Sequence, residues 1–195
     1  VDAANGLMAV KDLVFDNKKL TMAELKKALA ANFEGEYEKV GKMCYEAPKH
    51  GNDIPEVNKL VRRVYDSILH AFDSVDGGGN YISKDIKTSL DAYTKSIHNL
   101  MGLVTGALPT GKKAGVALTD GSLSAMPGTD VNGPTALVMS AAKGVDPVKW
   151  CATHMNMKLP PDQLKTRKGR DNVLNLVRTL FDNGGYHIQF NVLDT

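Results

Sequence analysis

The sequence predicts an α/β protein with a helical first half and a mixed second half. Apolar residues recur at helical spacing up to about residue 75, and glycine and proline become frequent after residue 105. Near the carboxyl end, short apolar runs of strand type alternate with a helix. Helices and strands that alternate along a chain are typical of α/β architecture. We therefore divide the chain into two segments, 1–105 and 106–195, within one larger domain.

The first segment is predicted to form four helices. Apolar spacing predicts helices over 3–15 and 36–47. Thr21 and Glu24 form a capping-box pattern, which opens a helix that runs through Ala31. The clearest helix is 56–75, because its apolar residues form one stripe at i, i+3, i+4 and i+7 spacing: Val57, Leu60, Val61, Val64, Ile68, Leu69 and Phe72.

The second segment is predicted to contain shorter elements. Small residues favour a helix over 137–142, and inward apolar spacing predicts a helix over 172–181 that Asn183, Gly184 and Gly185 end. Residues 155–159 are predicted to form a strand that Pro160 closes. Residues 186–193 are a second β-rich run.

Composition excludes several classes of protein. The net charge is +2, and the basic cluster Lys165–Arg170 is short, so we expect no nucleic-acid or membrane surface. No apolar run approaches the roughly 20 residues that span a bilayer. The two cysteines, Cys44 and Cys151, have neither disulfide-scaffold nor zinc-site spacing, which predicts a reducing, cytoplasmic setting.

Three patterns are weak matches to known chemistry. Residues 106–112 fit the start of a phosphate-binding P-loop, but Lys113 stands where Ser or Thr is needed, so a plain turn is favoured. Cys44 has the spacing of a packed thiol on a helix. The histidines show no i+3 or i+4 pairing for a metal site, and only His154 and His187 are placed where they could face a cavity.

The most informative stretch is 111–140, a long loop rich in glycine, proline, serine and aspartate. Loops of this length inside a compact domain are usually functional or disordered, and apolar residues at intervals favour an ordered loop here. Its hydroxyl and carboxylate side chains could contact a ligand, or they could tie the loop to its own backbone. Both readings stay open for Ser122, Ser124, Thr129 and Asp130.

Two amides near the carboxyl end are predicted to share one face of a strand. Gln189 and Asn191 alternate with Ile188, Phe190 and Val192. Because side chains of a strand alternate with period two, both amides point the same way. In a closed barrel that face would be the lumen, where amides can hold a polar substrate or another loop.

The chain resembles the pyruvate formate-lyase-like glycyl radical enzymes. The residues that carry the resemblance are PTGKKAGVALTDGSLSAMPGTDVNGPTA (109–136), MNMKL (155–159), GGYHIQFNVLD (184–194), VKDLVFDNKKLTMAEL (10–25) and APKHGND (47–53). They cover nearly the whole chain. Lys112 stands where the family usually has Arg, and Ala125 where it usually has Pro.

The resemblance implies part of a ten-stranded α/β barrel and a radical mechanism. In this family a glycine in an R-V-x-G-Y/F loop stores a radical that an S-adenosylmethionine-dependent iron–sulfur activase installs. The radical passes to a cysteine in a G-C-x-E loop, and the thiyl attacks a small molecule. The resemblance also implies a homodimer in an anaerobic prokaryotic cytoplasm, with a microcompartment as the alternative location.

Neither radical residue is found in this sequence, so we assign no catalytic residue, no metal and no directly bound cofactor. Met43 replaces the glycine before Cys44, and no R-V-x-G-Y/F motif occurs up to Thr195. The substrate-proximal residues implied are Ser122, Ser124, Met126, Pro127, Gly128, Gln189 and Asn191.

Because the chain begins at Val1 and stops after a strand-like run, we expect a segment of a full radical dehydratase, lyase or decarboxylase. We expect this segment to be inactive alone. The alternative is a non-catalytic domain or a partner that completes a split enzyme.

Overall fold

The computed structural model describes residues 1–74, 90–92 and 96–193. Its helices up to residue 74 are α1 (Asp2–Val10), a π-helical turn (Lys11–Asp16), α2 (Met22–Ala30), a 3-10 turn (Gly35–Tyr37), α3 (Glu38–Glu46) and α4 (Pro55–Ser74). These match the four predicted helices within a few residues at most ends. The predicted end of α4, Val75, lies outside the described residues.

The capping box of α2 forms as the sequence predicts. The Thr21 side chain accepts a hydrogen bond from the Glu24 N–H at 3.1 Å, and the Glu24 carboxylate accepts one from the Thr21 N–H at 2.7 Å. Each bond satisfies a donor that the first turn of a helix leaves unpaired. The cap therefore sets where α2 begins.

The rest of the described chain, which starts with β1 and α5 at the end of the first segment, mixes helices with short strands. The order is β1 (Leu90–Ala92), α5 (Ile97–Leu103), α6 (Pro134–Lys143), β2 (Trp150–Thr153), β3 (Asn156–Leu159), α7 (Asp162–Lys165), α8 (Arg167–Asp182) and β4 (Gln189–Val192). The predicted helices over 137–142 and 172–181 and the strands over 155–159 and 186–193 are confirmed. Both observed helices are longer than predicted, and both strands are shorter.

The strands form two parallel pairs. β1 pairs with β2, and β3 pairs with β4 in a register that places Asn156 opposite Gln189 and Leu159 opposite Val192. Parallel strands need a crossover between them, which α7 and α8 supply for the second pair. This arrangement agrees with the predicted α/β class.

Two apolar clusters hold these elements together. The larger cluster joins α1, α4, α6 and the strands through Met8, Val61, Val138, Trp150 and Met155, among others. The Tyr65 and Trp150 rings meet edge to face at 5.0 Å within it. The smaller cluster joins α1, α2 and α3 around Phe33 and Cys44. Each large side chain that is fully buried contributes roughly 1.5–3 kcal/mol.

Candidate functional site

The buried amine of Lys112 fixes the beginning of the loop between α5 and α6. The Lys112 ammonium donates hydrogen bonds to the carbonyl oxygens of Lys113 at 2.9 Å, Thr105 at 3.4 Å and Gly106 at 3.5 Å. Burial lowers the pKa of this amine. Residues 109–111 form a turn, and no helix follows them, so the P-loop pattern is a plain turn, as favoured from the sequence.

Two serines tie the middle of the loop to the chain between β2 and β3. Ser122 Oγ accepts a hydrogen bond from the His154 N–H at 2.7 Å, and Ser124 Oγ accepts one from the Asn156 N–H at 2.9 Å. The Leu123 N–H donates to the His154 carbonyl at 2.9 Å. Ser124 is only 1% exposed. The two hydroxyls therefore hold the loop along the start of β3.

The turn at residues 49–53, between α3 and α4, holds the same loop from the other side. His50 Nε2 donates to the Leu123 carbonyl at 2.9 Å, and the Asp53 N–H donates to Ser140 Oγ on α6 at 2.8 Å. Complete burial lowers the pKa of the His50 imidazole to about 4, so the ring is neutral at physiological pH. The Asn52 amide donates to the Thr129 carbonyl at 2.7 Å.

A cleft of about 740 Å³ opens between this loop, α8 and the β3–β4 pair. Its volume lies in the range of small-molecule sites. The apolar part of its lining includes Val116, Leu118, Leu137, Leu159, Val173 and Leu176. Its polar part includes Asp120, Asp130, Asn156, Lys158 and Asn191. The Asn156 amide donates to the Asp120 carboxylate at 2.8 Å, which orients both groups at the cleft edge.

The cleft brings together part of the predicted site. Pro127, Gly128 and Asn191 line it. Met126 lines a smaller pocket of about 310 Å³ on the other side of Pro127. Gln189 donates to the Asn191 side-chain oxygen at 3.3 Å, so the two amides share one face, as the period of the strand predicts. Ser122 and Ser124 lie behind the cleft wall, bonded to backbone.

Tyr45 and Asn52 are functional candidates that sequence reasoning missed. The Tyr45 hydroxyl donates to the Pro127 carbonyl at 3.1 Å, and Asn52 bonds to residues 129 and 132. Each bond joins residues about 80 positions apart in the chain, and no local pattern indicates such a pairing. The resemblance of 47–53 to the family was the one available signal.

The other candidate side chains in the described part of the chain are one buried thiol and a pair of imidazole rings. Burial raises the pKa of the Cys44 thiol to about 11, and the nearby Lys49 ammonium acts in the opposite direction. Cys44 is fully buried on α3, as its spacing predicts. The side chain of Cys151 lies outside the described part. The His154 and His187 rings meet edge to face at 4.9 Å.

Within 1–74, 90–92 and 96–193, no group of three or more His, Cys, Asp or Glu side chains could hold a metal ion. Over the same ranges, no helix has both the length and the apolar character that crossing a membrane requires.

Two family descriptions match almost the whole chain. The pyruvate formate lyase-like model matches residues 1–102, and the glycine radical model matches residues 119–195. The chain belongs to the pyruvate formate lyase-like family of glycyl radical enzymes. The resemblance drawn from its motifs is therefore confirmed.

Individual glycyl radical enzymes are similar to the chain throughout. Indoleacetate decarboxylase of Tractidigestivibacter scatoligenes is 35% identical over 100% of the chain and 24% of its own length. Trans-4-hydroxy-L-proline dehydratase of Clostridioides difficile is 35% identical over 97% of the chain and 23% of its own length. The glycerol-bound, B12-independent glycerol dehydratase of Clostridium butyricum superposes with a TM-score of 0.88 and 37% identity, over 99% of the chain and 24% of its own length.

The comparisons also show how much of a glycyl radical enzyme the chain covers. The chain spans about a quarter of the length of these glycyl radical enzymes. The superposition confirms that the fold is part of an α/β barrel of the glycyl radical enzyme type. The glycine radical domain is represented, although the 195 residues contain no R-V-x-G-Y/F motif.

Proposed function

We propose that this chain forms one wall of the active site of a glycyl radical enzyme that cleaves a C–O, C–N or C–C bond of a small polar molecule. The observation that carries the proposal is the coincidence of the glycine radical match, residues 119–195, with the residues that build the cleft. Decarboxylases and dehydratases among the similar proteins favour elimination or decarboxylation over pyruvate cleavage.

The chemistry assigned to this chain is binding and orientation. The apolar floor of the cleft excludes water from the carbon skeleton of a substrate, while Asp120, Asn156 and Asn191 at its edge can bond to hydroxyl or amino groups. Segments 1–105 and 106–195 act together as parts of one catalytic domain. Alone, the 195 residues would be inactive, because they contain neither a radical glycine motif nor a thiyl loop.

The full-length protein is proposed to need an activating partner. An S-adenosylmethionine iron–sulfur activase would install the radical, and the enzyme would work as a homodimer in the cytoplasm of an anaerobe.

The proposal is tested with full-length protein and an activase under anaerobic conditions. We expect a glycyl radical signal by electron paramagnetic resonance and turnover of one compound from a panel of glycerol, trans-4-hydroxy-L-proline, indoleacetate and 4-hydroxyphenylacetate. A preparation without activase is the control. A radical signal without turnover of any panel member would contradict the proposed substrate class.

The alternative, a partner that completes a split enzyme, makes a different prediction. Intact-mass and peptide mass spectrometry of native material would then give a single species of 21.1 kDa. Peptides that continue beyond Thr195 into an R-V-x-G-Y/F sequence would exclude the split enzyme.

We also propose that seven residues lie near the bound substrate: Ser122, Ser124, Met126, Pro127, Gly128, Gln189 and Asn191. A variant of Ser124 tests this placement most directly. Removing the Ser124 hydroxyl leaves the Asn156 N–H at the cleft without its acceptor. Ser124→Ala is therefore expected to lower kcat/KM about tenfold. Thr21→Ala is the control, since Thr21 Oγ1 also accepts one backbone N–H, at the start of α2 and outside the cleft lining. Wild-type kinetics in Ser124→Ala would overturn this placement.

A further inference from the structure

Residues 126–133 form a wall of the cleft that has little structure of its own. Pro127, Gly128, Asp130 and Gly133 line the cleft from this segment. Its internal backbone bonding consists of a turn in which the Thr129 N–H donates to the Met126 carbonyl at 3.0 Å. A loop held by so few local bonds takes its position from the groups that contact it from outside.

Asn52 supplies most of that outside support. Its side-chain amide donates to the Thr129 carbonyl at 2.7 Å and to the Lys49 carbonyl at 3.3 Å. Its side-chain oxygen accepts from the Asn132 N–H at 3.0 Å, and its backbone carbonyl accepts from the Asn132 side chain at 3.0 Å. Asn52 is 8% exposed, so these bonds have little competition from water.

The turn that carries Asn52 is built to approach the loop closely. Gly51 has a φ of +103°, and a Cβ on it would meet the Cβ of Ala125 at 2.8 Å. Only glycine allows both this backbone conformation and this distance. The approach brings the Asn52 amide to the wall without placing Asn52 in the cleft.

Tyr45 supports the same wall one residue before Gly128. Its hydroxyl donates to the Pro127 carbonyl at 3.1 Å, from a ring on α3 that lines the neighbouring 310 Å³ pocket. Asn52 and Tyr45 therefore contact the wall on the side away from the cleft, and neither lines the cleft itself.

We infer that Asn52 and Tyr45 are positioning residues that fix the wall at 126–133 against the bound substrate and so set KM. This inference rests on the proposed function, because it takes the cleft to be the substrate site. The two residues act through backbone carbonyls and N–H groups of the wall. They therefore affect the positions of Pro127, Gly128 and Asp130 and do not contact the reacting atoms.

The first experiment measures the wall without any substrate. Hydrogen–deuterium exchange of full-length protein is expected to be about tenfold faster over peptide 126–133 in Asn52→Ala, because two side-chain bonds that restrain the loop are lost. Asn17→Ala is the control: the Asn17 amide donates to the Asp12 carboxylate at 2.7 Å, outside the turn 49–53. Unchanged exchange in Asn52→Ala, or an equal rise in Asn17→Ala, overturns the inference.

The second experiment separates positioning from folding by kinetics. With the substrate that the parent turns over, Asn52→Ala is expected to raise KM about tenfold while kcat and the glycyl radical content remain near the parent's values. Tyr45→Phe, which removes one hydroxyl and should fold normally, is expected to raise KM about threefold. KM at the parent's value in both variants overturns the inference even if exchange has increased.

The two proposals fail in different ways. If the parent carries a radical but converts no panel compound, the proposed substrate class has failed, and the exchange measurement still decides whether Asn52 fixes the wall. If the parent turns over a substrate and neither variant changes KM, the positioning role alone has failed.

Discussion

At the scale of single residues, the polar groups behind the cleft form a chain of support from α3 to β3. His50 bonds to the Leu123 carbonyl, and Leu123 and its neighbouring serines bond to the start of β3. These groups are buried, so each bond is costly to break. Ionisation of one member should therefore be visible in the stability of the loop.

His50 is expected to make the loop sensitive to mild acid. The imidazole pKa is about 6.5 in an unfolded chain and about 4 in the folded one. Between pH 6.5 and pH 4 the imidazole binds a proton in the unfolded chain but not in the folded one. The free energy of unfolding therefore falls as the pH drops from 6.5 towards 4. The expected loss between pH 7 and pH 5 is about 2 kcal/mol.

The measurement is hydrogen exchange of the Leu123 amide in full-length protein, corrected for the intrinsic rate at each pH. His50→Gln keeps a donor for Leu123 and should abolish most of the pH dependence. His70→Gln, on the exposed face of α4, is the control. An unchanged pH dependence in His50→Gln would show that another group is responsible.

Cys44 is expected to be chemically inert, despite a Cys-x-Glu spacing like that of the family's thiyl loop. Its thiol is fully buried with a pKa of about 11, which leaves little thiolate at pH 8. Iodoacetamide should label the Cys44 peptide about two orders of magnitude more slowly in native than in urea-denatured protein. Rapid labelling in native protein, or loss of turnover in Cys44→Ala with radical content intact, would contradict this.

At the scale of helices and strands, sequence patterns predicted the elements whose bounds depend on residues close together in the chain. The capping box predicted the start of α2, and the apolar stripe predicted α4. Both patterns depend only on residues that are one or two helical turns apart. Helix α5 was not predicted, although Ile97, Leu100 and Met101 have helical i, i+3, i+4 spacing in the sequence. In the structure these three side chains are exposed, so their spacing does not mark a buried face. The contacts of Asn52 and Tyr45 with the cleft wall were also not predicted, because they form only when the two halves of the chain pack together.

Gly102 is expected to fix how α5 contacts the loop. A Cβ at Gly102 would lie 2.5 Å from both the Ala117 Cα and the Val116 carbonyl oxygen. Since backbone cannot yield as a flexible side chain does, Gly102→Ala should destabilise this contact by about 1–3 kcal/mol. Val116 and Ala117 line the cleft, so KM should also rise.

Gly106→Ala is the control, because nothing lies within 4 Å of the Cβ it would gain. The comparison is made by thermal inactivation and steady-state kinetics of the full-length variants. Equal behaviour of the two variants would mean that α5 is free to shift away from the loop.

At the scale of the whole molecule, the fold is one portion of a barrel with apolar side chains on its surface. The sequence predicted the barrel type through the family motifs, and the superposition confirms it. The predicted division at residue 105 remains untested, and the larger apolar cluster includes residues from both sides of it.

The isolated 195-residue chain is expected to be poorly stable. Ile97, Leu103 and Val104 are 50%, 67% and 78% exposed, and the β3–β4 pair is only four residues long. Exposed apolar faces and short parallel strands need covering elements to be stable. We expect binding of a hydrophobic dye and a broad melting curve by circular dichroism. A sharp transition from a monomer would contradict this expectation.

The buried amine of Lys112 has a consequence for how the family can vary. A lysine ammonium carries three hydrogens, and three carbonyl oxygens accept them here. An arginine, the residue that the motif resemblance implies at this position, would bring five hydrogens in a planar fork. Two more acceptors would then be needed from the surrounding loop. The amino acid at position 112 and the path of the backbone at 105, 106 and 113 must therefore evolve together, and a single exchange of lysine for arginine would not be neutral.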